Sequence, residues 1–285
     1  MGIYVTNDKL KRGEYIMNYK NLILNRKSVR EFKDTSIDPK YFNEIKEYMN
    51  NSKKLLPEIE VEIRMYDFKD CYENINQLAG YNGYLIKAPN YIILLSDVKN
   101  GYIENSGYIG ERLILKARDL GIDSCWITFK DSKSIKEKLN ISSDKEVTAI
   151  IALGYEDNKN AKNKSTSDRL SVEEIVFMDE WGNNASVTDL EERYLLDAFS
   201  YARMAPSSLN RQPWRFIIDG GKVILAVKTD DFSSDYESSI DTGIAMLYFS
   251  LIIDTTMFDL TWHVGSFDKD YKVPNDYKIV GYCNI

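Results

Sequence analysis

Apolar positions along this chain recur at two periods, and together they mark out two similar series of elements. "NYKNLILN" (Asn18–Asn25) predicts a first helix. "DPKYFNEIKEYM" follows with Tyr41, Ile45 and Tyr48 at helical spacing, Asp38 in the N-cap position and Pro39 at the first helical position. "VEIRM" (Val61–Met65) alternates like a half-buried strand, and the continuous run "YIILL" (Tyr91–Leu95) predicts a central one. From Tyr108 to Leu120, Ile109, Leu113, Ala117 and Leu120 share one helical face, and Gly121 supplies the stop. "SCWITF" and "VTAIIALGY" read as strands around a short helix, "SIKEKL"; residues 156–169 are polar and loop-like.

The second series opens near Thr188, where Thr188 and Glu191 fit a capping box. Leu190, Tyr194, Ala198 and Ala202 form its predicted buried stripe, and the helix must stop before Pro206. "WRFII" and "KVILAV" form a hairpin across Asp219-Gly220-Gly221. A helix over about Ile240–Thr256 contains "GIAMLYFSLII", which is apolar nearly all round and therefore buried, yet too short to span a bilayer. "DLTWHV" and "YKIVGYCNI" close the chain as strands. Both series place a buried helix before a Trp-bearing strand and end an apolar strand in Gly-Tyr, which suggests an internal duplication.

Composition narrows the class. The chain has 285 residues, 44% of them apolar, enough for one large domain or two small ones. A net charge of −7, with bases interspersed among acids, gives no nucleic-acid footprint. Cys71, Cys125 and Cys283 are widely spaced and odd in number, which argues against a disulfide framework and against zinc. The lone His263 reads as structural or surface. With no secretory signal and no membrane span, the expected location is the cytoplasm. Residues 1–16 have weak periodicity, and Met17 is the expected native start, so they are expected to be an extension.

Two stretches carry candidate chemistry. "NRKSVREF" sets Arg26, Ser28 and Arg30 at period two as the chain leaves a helix, so their side chains point one way. Two guanidiniums and a hydroxyl on one side suit an oxyanion, whereas a solvated basic turn would show the same residues. "APSSLNRQPW" puts Ser207, Ser208 and Asn210 in a loop that Pro206 keeps out of helical geometry. Such a loop suits the edge of a flat polar heterocycle. A helix stop and turn accounts for its Pro, Ser and Asn equally well, but not for the Gln212-Pro213-Trp214 that follows.

These two motifs, with "GIDSCWI" and "ALGY", resemble the FMN-dependent nitroreductase superfamily over most of the chain from Asn18 onward. The resemblance implies an α+β fold with mainly antiparallel sheets flanked by helices. Family members are usually homodimers with FMN bound between subunits. Here the first series has the Arg-x-Ser-x-Arg segment but no Ser-Ser-x-Asn loop, and the second has the reverse. The expected architecture is therefore an intramolecular pseudo-dimer, residues 17–185 forming one nitroreductase-like half and 186–285 a shortened second. The implied function is transfer of hydride from NADH or NADPH through flavin N5 to a small flat acceptor such as a nitroaromatic or quinone, by a monomer; the alternative is a non-enzymatic FMN carrier or sensor. By resemblance, Arg26 and Ser28 meet the phosphate and ribityl chain, with backbone contacts from Lys27. Arg30 reaches the N1/O2 side. Ile127, Thr128 and Phe129 approach N5 and O4, and Arg169 is a second phosphate ligand. Pro206, Ser207, Ser208 and Asn210 lie against the ring, and Asn82 is a candidate for the pyrimidine edge.

Overall fold

The structure is a computed structural model that describes residues 17–81, 83–157, 168–229, 234–256 and 260–285. The expected extension, residues 1–16, lies outside the described residues, as does Asn82. The first series folds as α1 (Tyr19–Asn25), α2 (Pro39–Asn51), β1 (Val61–Asp67), α3 (Phe68–Ile75), β2 (Asn90–Ser96), α4 (Tyr102–Asp119), β3 (Asp123–Ile127), α5 (Ser132–Lys138) and β4 (Glu146–Gly154). The second comprises α6 (Val172–Ile175), β5 (Val176–Met178), α7 (Val187–Glu192), α8 (Leu196–Ala202), β6 (Trp214–Asp219), β7 (Lys222–Lys228), α9 (Asp235–Ile253), β8 (Trp262–Val264) and β9 (Tyr277–Asn284).

Each series builds its own sheet. The first runs β1-β2-β4-β3 and the second β5-β6-β7-β9-β8. With β5 set aside, the second order repeats the first, and α4 and α9 occupy the same place, between the second and third strands of their series. Every pairing in both sheets is antiparallel except that of β5 with β6. Two related halves with mainly antiparallel sheets were expected, and two are present. The halves exchange a piece: β5 precedes residue 186 yet pairs in parallel with the second sheet, Val176 opposite Phe216.

Strand alternation sends side chains to two faces of each sheet. On β2, Ile92 and Leu94 face the α2–α4 side, while Tyr91, Ile93 and Leu95 face α3 and α5. On β6, Trp214, Phe216 and Ile218 enter the main core around α8 and α9, and Ile217 enters a smaller cluster on the opposite face with Tyr271. Helix α9 is apolar all round because its neighbours cover it all round; residues 240–253 are buried without a break. None of the described helices is long and apolar enough to cross a membrane.

Several local expectations are corrected. Helix α4 begins at Tyr102, after Gly101 in a left-handed conformation, rather than at Tyr108. Ser186 and Asp189, not Thr188 and Glu191, form the capping box. Tyr194 turns to φ +59°, splits the expected helix into α7 and α8, and points out of the predicted stripe at 83% exposure. Helix α9 starts at Asp235, capped by a Ser234–Glu237 box. Helix α3 was not predicted, although Phe68, Cys71, Tyr72 and Ile75 fall at helical spacing; helix α6 and strand β5, of four and three residues, are too short to show a period.

The two central helices touch backbone to backbone. A Cβ at Gly243 would lie 1.9 Å from the Glu104 carbonyl oxygen, and one at Gly107 would lie 2.3 Å from that of Ile240. Gly107→Ala and Gly243→Ala should each force the helices apart and cost about 1–3 kcal/mol or more. Gly221→Ala, whose Cβ would meet only the Ile285 carbonyl at 3.6 Å, should stay within about 0.5 kcal/mol. Chemical denaturation of the three variants checks this; equal effects at all three positions would contradict the close crossing.

Candidate functional site

After α1, the chain runs extended beside β3: Ser28 bridges to Ser124 in parallel, and the Val29 amide donates to the Ser124 carbonyl at 2.9 Å. That pairing buries Val29 and turns Arg26, Ser28 and Arg30 to the other side, as their period-two spacing requires. They line one end of a cleft of about 400 Å³, within the usual size of a small-molecule site. Ile127 and Thr128 form one wall, and Pro206, Ser207 and Ser208 another. Residues from both halves thus face one cavity.

The other expected site residues surround this cleft without lining it. The Lys27 ammonium pairs with Glu156. Phe129 meets Tyr236 edge to face, with ring centroids 5.5 Å apart, and Tyr236 lines the cleft. Arg169 donates through Nη1 to the Ala205 carbonyl at 2.8 Å. Asn210 turns away, its amide donating to the Asp168 carbonyl at 3.1 Å.

Arg26 is fixed by a group that sequence reasoning missed. Its Nε lies 3.0 Å from Glu111 Oε1 on α4, with side-chain exposures of 7% and 0%. The N–H does not point along the oxygen, so the contact is an ion pair and not a hydrogen bond. Tyr248 on α9 donates to Glu111 Oε1 at 2.8 Å, and the Trp126 indole on β3 donates to Oε2 at 2.7 Å. Burial is the largest influence on Arg26 and opposes its charge, but Glu111, Tyr248 and Cys125 together outweigh it and raise the pKa; burial and then Glu111 push that of Tyr248 well up. Arg169 is held below the ordinary arginine range, first by burial and then by the nearby charge of Arg26. Two guanidiniums that repel each other beside a hydroxyl fit an anion such as a phosphate.

The remaining wall comes from α9, with Tyr236, Glu237, Ile240, Asp241 and Ile244. Both Asp241 oxygens face the Ser208 amide, which donates at 3.1 and 3.0 Å; the Ser208 hydroxyl donates to Glu237 at 3.3 Å. The loop they hold has Leu209, Asn210 and Gln212 at φ 52°, 56° and 49°. A hint was present in the sequence: Glu237 and Asp241 are spaced by four, a helical turn, at the start of an otherwise apolar helix. Glu111 lies one turn beyond Gly107 on α4.

Two mainly antiparallel sheets and two crossed helices thus set a basic segment from one half and a Ser-Ser loop from the other along one cleft. A family model described as "Putative TM nitroreductase" matches residues 18–253, and the chain belongs to that nitroreductase family. Among solved structures, one described as a putative nitroreductase from Thermotoga maritima shares 21% identity, covering 98% of this chain and 99% of that one at a TM-score of 0.57. An FMN-dependent nitroreductase from Clostridium difficile shares 25% identity over 52% of this chain and 92% of its own, at a TM-score of 0.44. A structure described as a putative NADH dehydrogenase/NAD(P)H nitroreductase from Parabacteroides distasonis shares 17% over 56% and 97%, at 0.45. No curated protein matches at a significant level.

Removing one member of a buried ion pair strands the other. Glu111→Ala should cost about 3–5 kcal/mol. Glu111→Gln, which still accepts from Trp126 and Tyr248, should cost less. Adding Arg26→Met to Glu111→Ala should restore part of the loss. Urea denaturation of these variants, of Arg26→Met alone and of the parent protein checks this, and strictly additive effects of Glu111→Ala and Arg26→Met would mean that the pair is not coupled.

Proposed function

We propose that the cleft holds FMN and that the protein is an NAD(P)H oxidoreductase acting on a small flat electron-poor acceptor, such as a nitroaromatic or a quinone. The observation that carries this reading is the Arg26–Ser28–Arg30 cradle at one end of an otherwise largely apolar cleft, in a chain of the nitroreductase family. Two similar structures, one described as an FMN-dependent nitroreductase and one as a putative NADH dehydrogenase/NAD(P)H nitroreductase, agree with it. Bound flavin supplies two-electron hydride chemistry between donor and acceptor.

The chain's own residues divide the remaining work. Arg26 and Ser28, with Arg169 behind them, receive the phosphate, and the Lys27 backbone supports that end. Arg30, exposed at the cleft, places a cation beside the ring and favours a reduced anion there. Ile127 and Thr128 form the wall against which the ring lies, and Pro206–Ser208 close it from the second half. Phe129 and Asn210 act from behind as positioning groups. Asn82 keeps its proposed role at the pyrimidine edge, outside the described residues.

One flavin per chain and a cytoplasmic monomer complete the reading. The place related to the Ser208 loop by the duplication is the segment after α2, and it is packed shut. Lys53 Nζ donates to the Leu260 carbonyl at 2.5 Å, Leu55 is buried, and Leu56 packs near Val264 beside Gly101. The α4–α9 contact is made within the chain, where a family homodimer makes it between subunits.

Purified protein should therefore be yellow, release one FMN per chain on denaturation, sediment as a monomer and be bleached by NADH or NADPH. Colour without bleaching would point to a carrier; two flavins per chain would contradict the single cleft. Arg26→Ala should weaken FMN by about tenfold or more, as loss of a charge-assisted phosphate contact implies, and hardly affect riboflavin. Equal losses for both flavins would remove Arg26 from the phosphate. Arg30→Ala should lower the flavin reduction potential while reducing affinity less than Arg26→Ala does.

A further inference from the structure

Reduction of an acceptor needs protons as well as electrons, and neither the cradle nor the loop supplies an acid. The α9 wall does. Asp241 sits in the cleft wall at 3% exposure, one helical turn beyond Glu237, which lines the same wall. The hydrogen-bond donor to its carboxyl is the Ser208 amide, at 3.1 and 3.0 Å.

The charged groups around it are of both signs. Glu237 faces it from α9 itself, and Arg211 from the loop. From α4, Glu104 is engaged by the Ser239 hydroxyl at 2.9 Å. Arg26 and Arg30 stand across the cleft, Arg26 already paired with Glu111. A carboxyl this deep, beside a second carboxylate, is favoured in its neutral form. Burial is the largest cause and Glu237 adds to it, while the Ser208 amide and Arg211 oppose; the resulting pKa is well above the carboxylate range.

We propose that Asp241 is the proton donor of this cleft, a catalytic acid supplied by the second half of the chain. The proposal rests on the oxidoreductase reading above. A quinone acceptor takes up two electrons and two protons. Bound flavin, once reduced, would supply both electrons and one proton as hydride. The second proton leaves Asp241 Oδ: that O–H bond breaks, an O–H bond forms at the acceptor oxygen, and the Asp241 carboxylate regains a proton from water. Because the donor is the neutral form, the step is available below the pKa of Asp241 and fails as pH rises through it.

The first test needs no cofactor. Near neutral pH the ligand-free protein should show the infrared carbonyl band of a protonated carboxyl, and Asp241→Asn should lack it. The second uses FMN-loaded protein reduced by NADH or NADPH, then mixed with a quinone or with ferricyanide, which takes electrons without protons. Asp241→Asn should lower the ratio of quinone to ferricyanide rates by about 100-fold, the range of a general acid, and abolish the alkaline limb of the quinone profile. Glu237→Gln should move that limb to lower pH, because a like charge is removed. An infrared band that survives Asp241→Asn, or an unchanged rate ratio, would overturn the assignment. A protein that binds no flavin but keeps the band would instead defeat the oxidoreductase reading alone.

Discussion

The buried carboxylate of Glu111 accepts from the Trp126 indole and the Tyr248 hydroxyl and pairs with the Arg26 guanidinium, and through them it joins β3, α9 and the segment after α1. An ionised group with no exposure is tolerable only when donors surround it, so these partners cannot move independently. Each belongs to a different wall or support of the cleft. Trp126 fixes the strand that ends in Ile127 and Thr128, Tyr248 fixes the helix that carries Asp241, and Arg26 is part of the basic cradle itself. The glycine crossing of α4 and α9 makes this possible. The close approach at Gly107 and Gly243 holds α4 and α9 together where Tyr248 donates to Glu111 at 2.8 Å.

The two halves have one topology and unequal chemistry. Both sheets run in the same strand order, and each central helix precedes a Trp-bearing strand. The two indoles are nonetheless used differently. Trp126 donates to a carboxylate that holds a cation, whereas Trp262 donates to the Ser250 hydroxyl on its own half's helix, at 3.0 Å. The segment after α2 is tied to the second half by Lys53, which donates to the Leu260 carbonyl, and the matching segment after α8 lines the cleft. In the first half β1 and β2 are joined through α3 and a long loop whose Gly80 and Tyr81 help line the cleft; in the second, β6 and β7 meet in a tight turn at Gly220. The two halves thus share what the core requires, the strand order and the crossed helices, and differ in the segments that border the cleft.

Much of this was legible from periodicity. Strands buried on both faces read as continuous apolar runs, and the cradle read as alternate residues of an extended segment, because period is a property of backbone geometry that neighbours do not alter. What was missed depended on tertiary contact. Tyr194 has helical spacing, but no periodicity reveals that the chain turns left-handed there. Helix α4 was placed late because "YIENSG" looks too polar to be buried; Asn105 and Ser106 are buried because Asn105 accepts the Leu56 amide and Ser106 donates to the Tyr102 carbonyl. Glu111, Glu237 and Asp241 look like surface residues in a linear reading, and only the approach of α9 to α4 and to the Ser208 loop encloses them.

The Gln212-Pro213-Trp214 run, which no simple turn explains, is where the loop's strain is resolved. Leu209 and Gln212 in left-handed conformations cost about 1–2 kcal/mol each, with Asn210 between them better suited to its own, so the loop between Pro206 and Pro213 would relax if left alone. Gln212 prevents this from the inside: its side chain accepts from the Leu170 amide at 2.9 Å and donates to the Asp168 carbonyl at 3.1 Å, and its own amide donates to Ser207 Oγ at 2.9 Å. Trp214, buried completely in β6, anchors the exit. Asp241 holds the entrance through the Ser208 amide. A loop over-determined at both ends presents Ser207 and Ser208 to the cleft in one arrangement. The strain is therefore the cost of a fixed wall, opposite a cradle that Glu111 fixes in the same way.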